Sequence, residues 1–429
     1  MKKNSDYELN ATVENEPSVK TVGNCFYCGD AQINHNLFFF GSIISKILDT
    51  DRFNLIGYVP NFIKNFVDLI PKFLFELLGF LKIVKFSSDI NKANTFRSRV
   101  IWEEAIRRGI KMEQVIFFGK PLDFYRAKIN EKFLGSLTYP YSGSLTYPKT
   151  FLNKYFYFNS LPIKPEFLKI GDKNWDDKFI LKQELKKNNI PTPNCLKLPF
   201  LNTVALSVFQ ENLKNIFLKI EKPVILKPSS GSRGRHTTTN INTLDQFHKA
   251  IKVAKQISCE LVVEEHLFGS VCRATFVNGN LAGFYKGDVP MIIGDGKKNI
   301  TELIAEKNEN RHPRIQPVQI SQELKEHIAR FGFELENILP KDFSLSLTYR
   351  IGRFFGGKTK EMLDELHPSF IPILEKANKI VGLPVIGFDC IIPNPNENAN
   401  SQKWGIIECN TLPFIDLHYY ALEGKPKNI

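Results

Sequence analysis

The sequence lacks any charge-free apolar run long enough to cross a membrane. Its nearest approach is residues 66–86, FVDLIPKFLFELLGFLKIVKF, which carries Asp68, Lys72, Glu76, Lys82 and Lys85. Five charges are too many for a spanning helix. No apolar core follows the lysines of MKKNSDYELN, so no signal peptide is expected. Cysteine is sparse: seven in 429 residues, odd in number and scattered. That is no disulfide framework and predicts a reducing, cytoplasmic setting. Cys25 and Cys28 form a C-x-x-C, but no second pair follows at zinc-finger spacing. A G-x-x-x-x-G-K-[ST] phosphate loop is missing, as is any clear Ser-His-Asp or Cys-His signature. Acidic residues are in deficit, 45 against 57 Lys and Arg, for a net charge of +12. This balance favours anionic partners such as nucleotides, nucleic acid or a membrane surface. No nucleic-acid recognition motif accompanies the charge, so nucleic acid is not expected as a partner.

What is present is ordinary globular composition, with 43% hydrophobic and 24% charged residues. Disordered and collagen-like chains are thereby excluded. Residues 1–20 are polar and read as a loose terminus. Residues 21–171 read as a smaller N-terminal α/β domain. Within it, residues 62–86 read as an amphipathic helix kinked or divided by Pro71, with its Phe and Leu side packed inward. Membrane contact by that helix is open but not favoured. Residues 98–109 read as a helix stopped by Gly109, and 114–119 as a strand. FYRAKI (124–129) and KYFYF (154–158) read as two further strands. Between them, GSLTYPYS and GSLTYPKT repeat in tandem at 135–150 and suggest a lengthened hairpin loop.

From residue 172 the signals become dense. DDKFILKQELKKNN (176–189) reads as a helix with acidic residues first and basic ones last, stopped by Pro191 and Pro193. PVILKP (223–228) reads as a buried strand opening into Ser229, Ser230, Gly231, Ser232, Arg233 and Gly234. Small residues there let backbone N–H groups close over phosphates, and Lys227 adds a fixed charge. Thr243 with Gln246 forms a capping-box pattern. ELVVEEH (260–266) reads as a strand, and VCRATFV and LAGFYKG as a hairpin across Asn278-Gly279. In VIGFDCII (385–392), Asp389 lies mid-strand, where a carboxylate is costly unless paired or metal-bound. In KWGIIEC (403–409) and the Asn410 that follows, Glu408 and Asn410 leave the same strand face. Asp, Glu and Asn offer hard oxygen donors suited to Mg²⁺ beside phosphate.

The order of these pieces resembles the ATP-grasp carboxylate–amine ligases, and most closely the ATP-grasp domain of the cyanophycin synthetases and bifunctional glutathione synthetases. Peripheral strings agree: DDKFILKQELKKNNIPTP, MIIGDGKKNITELI (291–304), NRHPR (310–314), DELHP (364–368) and EGKPKNI (423–429). The resemblance covers residues 172–429. It implies an α+β fold in which two lobes clasp ATP, behind the smaller N-terminal domain. It further implies that Lys178 and Lys227 contact ATP phosphates and that the loop 229–234 folds over them. Glu264 and the following backbone, with Glu265 and Leu267, would hold adenine. Asp389, Glu408 and Asn410 would hold Mg²⁺ or Mn²⁺; of the two implied catalytic arginines, Arg273 matches one near the reacting phosphate, and Arg350 lies where the family has arginines before a G-G pair, here Gly356-Gly357.

The implied reaction joins a small carboxylate to an amine, amino-acid or peptide-like, through an acyl phosphate, with release of ADP and phosphate. An ATP-grasp kinase, a nucleotide-binding pseudo-enzyme and a basic nucleic-acid-binding protein are the alternatives. Homo-oligomerisation is left open. Cyanophycin synthetases continue into a Mur-ligase-like half whereas this sequence stops at Ile429, so polymer synthesis by that two-site scheme is not expected. Several positions depart from the family pattern: Val271, Asp288, Phe414 and the stretch YRIGRFFGG around 350–357. Val271 stands where relatives carry an acidic residue, and the remaining changes fall where the acceptor substrate is expected.

Overall fold

The computed structural model describes residues 35–36, 39–43, 75–128, 155–158, 161–162, 175–198, 206–229, 231 and 234–429. Cys25, Cys28, residues 62–74 and the duplication at 135–150 lie outside the described residues. The architecture is α+β: helices packed on antiparallel sheets.

The N-terminal sheet has four antiparallel strands in sequence order: β1 (Val84–Ser87), β2 (Met112–Phe117), β3 (Lys120–Lys128) and β4 (Tyr155–Phe158). Helix α1 (Phe96–Arg107) starts at Thr95, whose hydroxyl accepts from Ser98 N. Its Trp102 and Ala105 pack on Met112, Tyr125, Ala127, Phe156 and Phe158. This unit combines helix and strand, and its described strands are all antiparallel. The helix expected over 62–86 ends early: residues 75–80 are helical, 81–83 turn, and 84–87 are β1. Its polarity also departs from expectation. Glu76 faces the sheet and accepts from Arg126 Nη1 (3.0 Å) and Tyr157 OH (2.5 Å), while Phe80 is 84% exposed. Glu76 keeps 45% of its side chain exposed while it pairs with the buried guanidinium, and the neighbouring Phe75 ring stacks on Tyr157.

The second sheet runs β5-β8-β6-β7. Its strands are β5 (Cys195–Lys197), β6 (Val224–Pro228), β7 (Thr238–Ile241) and β8 (Leu261–Glu265). Helix α2 (Lys178–Lys187) precedes it, and α3 (Leu206–Lys219) and α4 (Leu244–Ala254) cover one face. Thr243 and Gln246 make the capping box read from sequence.

The third sheet is the largest. It is built from β9 (Ser270–Val277), β10 (Asn280–Gly287), β13 (Thr359–Glu361), β14 (Val385–Ile392) and β15 (Gly405–Asn410), ordered β13-β10-β9-β14-β15. The hairpin between β9 and β10 turns at Asn278 (φ 54°) and Gly279 (φ 80°), as a type I′ turn requires. Between β10 and β13 the chain forms a small annex: β11 (Met291–Ile293), β12 (Ser344–Ser346), α5 (Ile300–Glu309) and α6 (Gln322–Ala329). Alternation then sorts the two faces of the large sheet. Cys272, Ala274, Phe276, Phe388 and Cys390 point into a core shared with α2 and α7 (Phe370–Val381). Arg273 and Asp389 point the other way, into a cleft against the second sheet. A last short helix, α8 (Asp416–Tyr419), returns the chain to α1.

Arg126 shows how the N-terminal unit is locked. It bonds Glu113 (2.8 Å) and lies between the rings of Phe86 (3.3 Å) and Tyr155 (4.0 Å). Burial works against the charge of Glu113, but Lys111 and Arg126 hold its carboxyl below the usual range. Arg126→Leu should therefore destabilise the protein by about 3 kcal/mol, because buried Glu113 is left with Lys111 alone and the guanidinium's contacts with Phe86 and Tyr155 are lost. Urea denaturation at neutral pH measures this, and an unchanged midpoint would contradict it.

Candidate active site in the cleft between two sheets

The cleft holds a cavity of about 1040 Å³, lined from both sheets and from the annex. One wall begins at α2. Asp177 caps the helix, accepting from Phe179 N and Ile180 N, and its other oxygen accepts from Ser229 Oγ (2.7 Å). The cap therefore ties the helix to the small-residue loop. Lys178 follows at the first helical position. Its Nζ donates to Gly231 O (2.7 Å) and lies 3.4 Å from Glu408 Oε2. At the far end of the loop, Gly234 (φ 60°) packs against the Tyr349 ring, and Tyr349 OH donates to Gly234 O (2.5 Å). Ser230, Ser232 and Arg233 lie outside the described residues.

Under this loop sits a buried ion cluster. Lys227, on β6, lies 2.9 Å from Glu264 Oε2, and Lys182, one turn after Lys178 on α2, lies 2.9 Å from Glu264 Oε1. The side chains of Lys182 and Glu264 are each 1% exposed. Burial opposes the charge of Glu264, yet the two ammonium groups hold it below the usual carboxylate range. Burial also opposes the charge of Lys227, but Glu264 and Glu408 raise it. For Lys182 burial wins and lowers it.

The opposite wall is a cross-strand row. Asp389 on the interior strand β14 is in register with Arg273 on β9 and with Glu408 on β15. Arg273 binds Asp389 through both carboxylate oxygens, at 2.6 and 2.7 Å, and Asn410 Nδ2 adds a bond of 3.1 Å. Gly387 permits this, since a Cβ there would stand 3.2 Å from the Arg273 side chain and 3.0 Å from Pro413. Burial pushes Asp389 upward despite Arg273, and the neighbouring Glu408 adds to the rise. Glu408 moves the other way: burial opposes its charge, but Lys178 and the hydrogen bond with Asp389 draw it down. The two facing carboxylates are thus held between Arg273 on Asp389 and Lys178 beside Glu408.

The structure therefore brings Lys178, Lys227, Gly231, Gly234, Leu267, Arg273, Arg350, Asp389, Glu408 and Asn410 to one cleft. Glu264 lies beneath it, with both oxygens taken by lysines. Glu265 is not brought there. Strand alternation turns it to the other face, where it pairs with Lys403 and accepts from Asn194 N and Nδ2 at 3.1 Å. Arg350 is committed to Glu323 of α6 (2.8 Å). Ser229 spends its hydroxyl on Asp177 rather than the cavity.

Sequence reading missed Lys182, Tyr349 and the buried Arg353–Asp416 pair. The four-residue spacing from Lys178 was a usable signal for Lys182. The other two depend on distant chain segments meeting.

The protein has homologues among amide-forming synthetases, at modest identity. A cyanophycin synthetase from Trichormus variabilis is 26% identical over 259 residues, 59% of this chain and 28% of that one. The bifunctional glutathione biosynthesis protein GshAB of Mannheimia succiniciproducens is 28% identical over 283 residues, 62% of this chain and 37% of that one. The chain thus spans about a third of the length of these curated relatives. Among solved structures, a bifunctional glutathione synthetase from Pasteurella multocida is similar at 20% identity and TM-score 0.47, covering 79% of this chain and 42% of that one. No family model matches the chain. Among the described residues, no helix is long and apolar enough to cross a membrane.

Two buried histidines predict the acid response. Burial lowers His236, beside the loop, and His327, which lines the cleft, to about 4 each. Both sit below the unfolded value of about 6.5. Protons therefore favour the unfolded chain. Stability should be full above about pH 6.5 and fall as pH drops toward 4. Thermal melts from pH 7.5 to 4.5 test this, and His327→Gln should flatten the decline.

Proposed function

We propose that the protein is an ATP-dependent carboxylate–amine ligase that releases ADP and phosphate, acting in the cytoplasm on small amino-acid or peptide-like substrates. The observation that carries this reading is convergence. Lysines from α2 and β6 and oxygen donors from β14 and β15 face one cavity, joined there by an arginine from β9. The named relatives and the motif string support it.

Lys178 and Lys227 offer fixed positive charge to the β- and γ-phosphates, beneath the loop that Tyr349 pins. Asp389, Glu408 and Asn410 would hold Mg²⁺ or Mn²⁺. The fit is chemical: the donors are hard oxygens, and the two carboxylates stand in register across the β14–β15 ladder. Among the described residues no cluster of three His, Cys, Asp or Glu side chains occurs, so Asn410 and the phosphates would complete the shell. When bound, the cation neutralises charge on the phosphate being transferred.

The chain's own residues do the rest by positioning and electrostatics. The substrate carboxylate attacks the γ-phosphorus, and ADP leaves. The amine then attacks the acyl phosphate carbon, and phosphate departs with the amide formed. Arg273, anchored by Asp389 and lying 5.7 Å from the Tyr285 ring centre, faces the region where charge develops. No side-chain nucleophile is required.

Glu408→Gln should lower metal-dependent ATP turnover by about 100-fold or more while the melting temperature holds. A phosphate-release screen with paired amino acids and dipeptides, ATP and Mg²⁺ measures it. Full activity in this variant would remove the metal assignment. Lys227→Ala should weaken ATP binding and turnover together, because its charge meets phosphate both before and during transfer. Calorimetric titration with unchanged affinity, alongside unchanged turnover, would contradict that role.

A further inference from the structure

The cluster below the loop has one feature that phosphate binding leaves unexplained. Lys182 makes no contact with the cavity. It is buried at 1%, one helical turn behind Lys178, and its ammonium meets three acceptors: Glu264 Oε1 (2.9 Å), the Ile407 carbonyl and the Lys178 carbonyl (3.4 Å). Three acceptors match the three N–H bonds of a charged ammonium. Burying a lysine is expensive, and a leucine would fill the position more cheaply. Glu264, shared between Lys182 and Lys227, is the group that gives the charge a purpose.

We propose that Lys182 is a positioning residue which takes up the charge of Glu264, so that Glu264 aims Lys227 at the phosphate site without neutralising it. Glu264 is then the anchor of the phosphate lysine and not an adenine contact. The electrostatics are simple. A lone Lys227–Glu264 pair would be a closed, neutral ion pair facing the cavity. With Lys182 on the second oxygen, the three groups sum to one positive charge, and Lys227 is the member that reaches the cavity. The bond from Lys182 to the Ile407 carbonyl adds a mechanical link. Ile407 precedes Glu408, so one ammonium fixes the phosphate lysine of the second sheet and the carboxylate strand of the large sheet. Lys182 therefore sets the relation between the two charged walls of the cleft.

The proposal rests on the reading of this cleft as an ATP site, and the test separates the two. ATP affinity with Mg²⁺ is measured by calorimetry for the wild type, K182M, E264Q and the double variant K182M/E264Q. K182M should bind ATP at least tenfold more weakly. In the double variant, removal of the unshared carboxylate should return affinity to within threefold of wild type. Equal weakness of K182M and the double variant, both folded by circular dichroism, would overturn the proposal, as would wild-type affinity in K182M. If K182M does not fold, the comparison passes to E264Q against the double variant. Loss of Lys182 should then change affinity less than threefold, and a tenfold loss would show that Lys182 acts independently of Glu264. A second readout needs no nucleotide. Acetylation of Lys227 by acetic anhydride, followed by peptide mass spectrometry, should be slower in K182M than in wild type and faster again in the double variant. That order with no ATP binding by the wild type would remove the ligase reading and keep the charge sharing; the absence of that order would remove the charge sharing.

Discussion

A carboxylate in the middle of a buried strand cannot stay charged unless its neighbours supply the charge that water would have screened. Asp389 is that group, and much of the large sheet is arranged around it. Its strand is interior, so partners arrive from both sides: Arg273 across one ladder and Glu408 across the other. The guanidinium satisfies both oxygens of Asp389, and Gly387 leaves room for the arginine stem to lie flat. On the reverse face, the same strands offer Cys272, Ala274, Phe388 and Cys390 to a dry core under α2 and α7. The polar row is held in place because the apolar row cannot slip: a one-residue shift in register would bury Arg273 among phenylalanines.

The second sheet solves a related problem differently. Glu264 is as deeply buried as Asp389 but is met by two lysines, one from its own sheet and one from α2. Helix α2 therefore belongs to both halves of the cleft. Its apolar Leu181 and Leu185 pack into the core of the large sheet, while Lys178 and Lys182 reach toward the second. A helix capped by Asp177 and shared in this way sets the distance between Lys227 and the carboxylate row.

The N-terminal unit contributes to this centre from outside. Arg97 of α1 donates to the Leu412 carbonyl (2.6 Å), just beyond Asn410, and its guanidinium lies over the Phe414 ring at 5.0 Å. Arg353, which lines the cleft, pairs with Asp416 of α8 and sits 5.0 Å from the Phe96 ring of α1. The segment after the oxygen donors is thus clamped by a helix more than three hundred positions earlier in the chain. Phe414 and the region around Arg350, where the sequence departs from the resembled family, are the parts so clamped.

Local rules in the sequence determined a good deal by themselves. Alternation placed Glu408 and Asn410 on one strand face, Asn278-Gly279 marked its hairpin, and Thr243 with Gln246 marked its helix start. Each of these is decided within a few residues, where backbone sterics and capping bonds act. The strands carrying Lys227, Asp389 and Glu408 were legible for the same reason, and the order of motifs pointed to the relatives. What only the tertiary structure decided is who meets whom. That Glu264 faces two lysines while Glu265 turns away to Lys403 depends on which side of β8 meets α2. That Glu76, still 45% exposed, reaches across to a sheet depends on Arg126, fifty residues later, presenting its guanidinium there. Burial and long-range charge pairing are properties of packed surfaces, and no local pattern of residues encodes the partner across them.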